Sequence, residues 1–94
     1  MVEPKISVVM PVYNSSPFLK DSINSILTQS FSNFEFIIIN DGSTDDSLEL
    51  INSFQHKDER IIVINQKHQG ITKSLNTGIQ ICQGEFIVRM DADD

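Results

Sequence analysis

Phe34-Glu35-Phe36-Ile37-Ile38-Ile39-Asn40-Asp41-Gly42-Ser43 decides the fold. The run from Phe34 to Ile39 is apolar but for Glu35. It reads as a strand buried on both faces, the kind found in parallel sheets. It stops at Asn40-Asp41-Gly42-Ser43, where Gly42 allows a sharp turn. Ser43 or Thr44 then caps a helix, with Asp45 and Asp46 in the first turn, where the helix dipole favours negative charge. Leu48, Ile51 and Phe54 supply its inward stripe.

The same grammar extends in both directions. Upstream, Ile6-Ser7-Val8-Val9-Met10-Pro11-Val12 is a second fully buried strand. Pro11 lacks a ladder donor, so it predicts a bulge or an early end to pairing. Ser16 caps a helix with Pro17 at its first position, and Phe18, Leu19, Ile23, Ile26 and Leu27 recur at helical spacing. Downstream, Arg60–Asn65 is a strand, Gln66–Gly70 a loop, and a helix from Thr72 carries Ile71, Leu75, Ile79 and Cys82 on one face. Gly84 is placed to end that helix in left-handed conformation. Glu85–Met90 is the last strand. The order β-α-β-α-β-α-β predicts an α/β fold: a parallel sheet of about four strands, order 3-2-1-4, with helices on both faces.

In open α/β sheets, ligands bind beyond the carboxyl ends of the strands, where the winding reverses. That rule gathers Tyr13-Asn14, Asp41-Gly42-Ser43, Gln66–Gly70 and Asp91–Asp94 on one rim. Three carboxylates fall in the last four residues, and Asp91 and Asp93 stand two apart, so on an extended backbone they project to one side. Like charges that close repel unless a cation lies between them, and Mg²⁺ or Mn²⁺ suits oxygen ligands. The alternative is a solvated acidic tail. Asp41 on its glycine turn either accepts hydrogen bonds from a heterocycle's N–H or ribose hydroxyls, or serves as an Asx-turn or helix cap. Tyr13 offers a flat ring for a base to lie on, or is a half-buried surface aromatic. Lys73 reaches a ligand on this rim or is solvated; His68 reads as loop trim, Cys82 as core, and Arg89 as a neutralising neighbour of the acids.

Composition narrows the classes. The chain has 94 residues, 39% apolar and 21% charged, which is one domain at most. Net charge is −6, from 13 acids against 7 bases, with no basic cluster, so a nucleic-acid or anionic-membrane surface is not expected. A single cysteine makes no internal disulfide and suits a reducing cytosol. No apolar run approaches a membrane span, and the start lacks a signal-peptide pattern. There is no Walker Gly-Lys-Ser/Thr, no G-x-G-x-x-G after the first strand, no serine elbow, no Cys-x-x-Cys and no His-Glu-x-x-His. A haloacid-dehalogenase-like phosphatase places its paired aspartates after the first strand; here they follow the fourth.

Four motifs in order, Ile6–Asn14, Asn40–Ser47, Leu75–Ile79 and Gly84–Ile87 with Asp91–Asp94, resemble family 2 glycosyltransferases of the GT-A fold over nearly the whole chain. The resemblance implies a nucleotide-sugar donor, most often UDP-linked, a divalent cation, and transfer with inversion at the anomeric carbon. Carried over by position, Pro11, Val12, Tyr13 and Asp41 hold uracil and ribose and Asp91 takes metal or ribose; Asn14 and Ala92 are further nucleotide-binding candidates, as is Lys73 for any basic contact from the third helix. Asp91 and Asp93 form the D-x-D pair, Asp93 being the first choice for the metal. Many members carry arginine where Leu75 stands. The family's acceptor half and general base come after the D-x-D, so residues 1–94 read as the donor-binding portion, inactive in transfer by itself. The expected location is cytoplasmic, or peripheral to the membrane in a longer protein, in cell-wall or polysaccharide assembly. The last strand forms an unpaired edge that invites self-association. The competing readings are a sugar-nucleotidyltransferase-like domain, which wants a glycine-rich loop after the first strand, and a non-catalytic interaction module.

Overall fold

The computed structural model describes residues 4–92. Four strands, β1 (Ile6–Val12), β2 (Phe34–Asp41), β3 (Ile61–Gln66) and β4 (Phe86–Arg89), alternate with α1 (Ser16–Leu27), α2 (Ser47–Lys57) and α3 (Ile71–Ile81). The strands are all parallel, in the order β3-β2-β1-β4, as the alternation of elements predicts. β2 is buried at every residue, which is why its sequence is a continuous apolar run.

Side-chain parity divides the core. Val8, Met10, Val12, Phe36 and Ile38 pack with Leu19, Ile23 and Ile26 of α1 and Ile51 of α2. The opposite parity, Val9, Ile37 and Ile39, meets Leu75 and Cys82 beside α3. Helices therefore cover both faces. α3 lies unusually close: a Cβ added at Gly78 would sit 2.6 Å from a Val9 methyl and 2.8 Å from Ile39 Cδ1.

Several local expectations are corrected. Ser15, not Ser16, precedes α1, and its hydroxyl bonds the Tyr13 carbonyl at 3.2 Å. α2 begins at Ser47, after Asp46, because Ser43 and Thr44 are engaged by the loop that follows β1. Phe18, Ile71 and Ile79 are exposed, so the stripes on α1 and α3 are narrower than their spacing predicts. Gly84 is not left-handed; Gly42 and Gly70 are the glycines of positive φ among the described residues. Its lack of a side chain serves a close approach instead: a Cβ there would lie 2.7 Å from the Ile6 carbonyl carbon and the Ser7 nitrogen.

At the foot of the sheet, Ser7 Oγ donates to the buried Glu35 carboxylate, which also accepts the Gln83 amide at 2.6 Å. Gly84 N–H donates to Ser7 Oγ at 2.9 Å. These bonds fasten the approach to β4 onto β1 and β2. β4 is exposed at all four positions, including Phe86, Ile87 and Val88.

Candidate donor-binding site

The carboxyl ends of the strands separate at Pro11. β1 pairs with β2 from Ile6↔Phe34 through Val12↔Asn40, without a bulge. With β4 it pairs only as far as Val9↔Arg89, closed by the Met90 N–H on the Val9 carbonyl at 3.0 Å. Alternate residues of a parallel strand bond to the same neighbour. Val9 faces β4, so Pro11, two residues on, faces the side that β4 has already left. Its missing N–H interrupts nothing, and the gap beside it opens a cleft.

A cavity of about 250 Å³ fills that cleft. Pro11, Val12, Tyr13, Asp41, Asp91 and Ala92 line it, joined by Ser15, His68 and two residues of α3, Ile71 and Ser74. Pro11, Asp41 and Asp91 share the parity of the α3 face, so segments distant in sequence converge through sheet register alone. Two positions carried over from the family motif lie elsewhere. Asn14, at φ 49°, turns its amide oxygen to the Thr44 and Asp45 N–H groups at 2.7 and 3.3 Å, bracing the loop after β2. Lys73 is exposed on α3 and does not line the cavity.

Asp41 is 3% exposed; its carboxylate accepts three hydrogen bonds, and its main-chain carbonyl lies 3.2 Å from His68 Nδ1. Its Oδ1 accepts Gln66 Nε2 at 2.9 Å and the Gln69 N–H at 2.8 Å. Its Oδ2 accepts the Gly70 N–H at 2.9 Å and lies 3.1 Å from His68 Nδ1. Burial pushes its pKa up, but the bonds from Gln66, Gln69 and Gly70, with the charge of His68, prevail and hold it below the usual carboxylate value. The acid thus fixes the loop that leads into α3 and forms a wall of the cavity. Gly42, at φ +74°, lets the loop after β3 close over it, since a Cβ there would lie 2.7 Å from the His68 nitrogen. The rings of Tyr13 and His68 stand 4.1 Å apart, tilted by 35°.

The acidic loop is anchored from below. Ser22 of α1, 2% exposed, donates to the Ala92 carbonyl at 2.6 Å, and the Ala92 methyl joins the α1-side core. Arg89 binds Asp91 Oδ1 through Nε at 3.2 Å and Nη2 at 3.0 Å. Asp93, the first choice for a metal ligand, lies outside the described residues. Among the described residues no group of three metal-ligating side chains assembles. Asp91 fits a hard cation of the kind that takes one or two carboxylates and fills its other positions with water and phosphate. His68, read from the sequence as loop trim, lines the cavity, and Ser22, which holds the acidic loop, has no place in that reading. The rim rule had placed the Gln66–Gly70 loop correctly, but nothing in the sequence tied Ser22 to the acids.

A family model described as Glycosyl transferase family 2 matches residues 7–94. Glycosyltransferase GlyA of Streptococcus pneumoniae is 39% identical over all of this chain, which spans 14% of that relative. A glycosyltransferase of Haemophilus influenzae is 44% identical over 97% of the chain, which spans 37% of it. TarS of S. aureus, solved as residues 1–349 with UDP-GlcNAc, superposes with a TM-score of 0.88 at 30% identity, over 95% of this chain and 26% of that solved segment. The mannosyltransferase PcManGT of Pyrobaculum calidifontis, solved with GDP-Man and Mn²⁺, superposes with a TM-score of 0.88 at 22% identity, over 99% of this chain and 28% of its own, a likeness of fold. The chain is therefore a member of glycosyl transferase family 2, with the GT-A fold.

Proposed function

We propose that residues 1–94 form the donor-binding portion of an inverting, metal-dependent glycosyltransferase, and that its donor is a UDP-sugar. The observation that carries this reading is the single cavity shared by Tyr13, Asp41 and Asp91 at the reversal point of the sheet. Its volume falls below the ~300–1,000 Å³ of drug-sized sites, which suits the nucleoside end of a donor rather than the whole molecule. Tyr13 provides the ring face and Asp41 the acceptor for a base N–H, with Pro11 and Val12 as backbone wall. Asp91 and Asp93 hold Mg²⁺ or Mn²⁺, which when bound neutralises the departing diphosphate. Arg89 restrains Asp91 when the cation is absent. The UDP-GlcNAc complex of TarS supports the choice of nucleotide, and the Mn²⁺ in PcManGT supports the cation.

The chain spans no more than 37% of the GlyA and Haemophilus relatives. This supports a division in which residues 1–94 bind donor while acceptor binding and the general base belong to other residues, so that the segment alone transfers no sugar. No helix among the described residues is long and apolar enough to cross a membrane. The open edge of β4 is proposed to drive self-association of the isolated segment.

Isothermal titration with UDP, with and without Mn²⁺, tests the reading. Binding that requires Mn²⁺ and is lost in Asp91→Ala is expected. Absence of binding, or binding indifferent to the metal, overturns it.

A further inference from the structure

At the opposite end of the sheet from the donor site, a second cavity of about 300 Å³ opens beside the first residues of β2 and β3. That volume stands at the lower edge of small-ligand sites. Pro4, Phe34, Glu35, Glu59, Arg60 and Ile62 are among its walls. Glu35 is 7% exposed and takes both of its hydrogen bonds, from Ser7 Oγ and the Gln83 N–H, on the single oxygen Oε2. Among the described residues Oε1 accepts no bond, yet every sealed side-chain polar atom there has a partner. Oε1 is therefore the part of Glu35 that remains open, and it opens into the cavity that Glu35 lines. Among the described residues no lysine, arginine or histidine lies within ion-pair distance of this carboxylate. The nearby cations are engaged elsewhere. Arg60 grips Asp58 through Nε at 3.0 Å and Nη2 at 2.7 Å and lies over the Phe34 ring, and Lys5 holds Glu85 at 3.2 Å. A carboxylate so far out of water ordinarily has a cationic partner. Here Glu35 and the exposed Glu59 leave the cavity with negative charge to spare.

We propose that this cavity is a binding site for an organic cation, a primary ammonium or guanidinium on a short aliphatic stem. Its N–H groups meet Oε1, an oxygen with about two acceptor positions. Such a charge-assisted bond is stronger than a neutral one, and the depth of Glu35 limits screening by salt. Pro4 and Ile62, the latter 38% exposed, offer apolar wall for the stem to lie along. The site stands apart from the donor cavity, because Glu35 lies at the start of β2 and Asp41 at its end. A free amine and the basic side chain of a peptide present the same chemistry to Oε1.

Titration of ¹⁵N-labelled protein with agmatine, which carries both head groups, tests the site by amide chemical shifts. The Gln83 and Gly84 amides, bonded to Glu35 and Ser7, are expected to move and saturate, while the Gln69 and Gly70 amides at Asp41 stay in place. Glu35→Gln keeps one oxygen for Ser7 and Gln83 and turns an NH₂ group toward the cavity, donor facing donor, so agmatine should bind about tenfold more weakly or worse. Ile62→Lys, a change at an exposed wall that tests the site even if Glu35→Gln fails to fold, supplies a tethered ammonium and should abolish agmatine binding. Tetramethylammonium, which has the charge and no N–H, and Mg²⁺ should leave the Gln83 and Gly84 amides unmoved. Nα-acetylarginine methylamide separates the two sources: tighter binding than agmatine assigns the site to a peptide side chain, weaker binding to a free amine. Shifts that do not saturate, that survive in both variants, or that tetramethylammonium or Mg²⁺ reproduces overturn the proposal.

Discussion

Replacing Asp41 by asparagine keeps the shape of the side chain and removes its charge and one acceptor. The amide oxygen can still take Gln66 and the Gln69 N–H, which now share Oδ1. The amide nitrogen then faces the Gly70 N–H across the 2.9 Å that Oδ2 bridges today, donor against donor. Leaving that buried N–H without an acceptor costs about 1–3 kcal/mol. The two bonds that remain change from charge-assisted to neutral, roughly half as strong, a further ~1 kcal/mol together. A loss of about 3 kcal/mol is expected, from a total of roughly 5–14 kcal/mol for a chain of this length. The thermal midpoint should fall by roughly 12–24 °C. Urea unfolding followed by circular dichroism at pH 7 measures the loss directly. The pH dependence supplies the sign. The folded-state pKa of Asp41 is depressed below its usual 3.8, so its contribution is present above that value and is lost as pH falls through the folded pKa. The gap between wild type and Asp41→Asn should therefore narrow below about pH 4. A variant within 0.5 kcal/mol of wild type at pH 7 (about the scatter of an ordinary surface substitution), or a gap that does not shrink in acid, refutes the account of this carboxylate.

Ser22→Ala leaves the Ala92 carbonyl without its buried donor; a loss of about 1–3 kcal/mol and weaker Mn²⁺-dependent UDP binding are expected, measured by urea melts and titration. Gly78→Val must clear the methyls of Val9 and Ile39, and should destabilise by about 2 kcal/mol or more in the same melts, against the helix-propensity gain of losing a glycine. Light scattering at high concentration should show dimers or larger species that Ile87→Lys disperses; a wild-type monomer would dismiss self-association through β4.

The layout of the sheet was legible because parallel strands buried on both faces leave unbroken apolar runs, and because Pro11 and the Asn40–Ser43 turn mark where those runs end. Convergence of Tyr13, Asp41 and Asp91 on one cavity followed from topology. Pairing between side chains was less accessible. Helical spacing shows that Phe18, Ile71 and Ile79 lie near an apolar face, but not how far a four-stranded sheet reaches beneath it. Ser43 and Thr44 have the chemistry of caps, yet the left-handed Asn14 from another loop claims them first. His68 looked like trim because its position against the Tyr13 ring and the Asp41 carbonyl depends on how two separate loops meet, which needs coordinates.

β4 is only four residues long and bare on both sides, so little in its own packing dictates how far along β1 it sits. The polar stitch of Ser7, Glu35, Gln83 and Gly84 does so from the opposite end of the molecule. A slip of one residue would invert every side chain beyond it. Asp91 would then swing to the other surface of the sheet, away from Tyr13 and Asp41. The height and facing of an acid at the mouth are thus calibrated by a glutamate at the base, and damage to Glu35 should surface as a misplaced carboxylate a whole strand away.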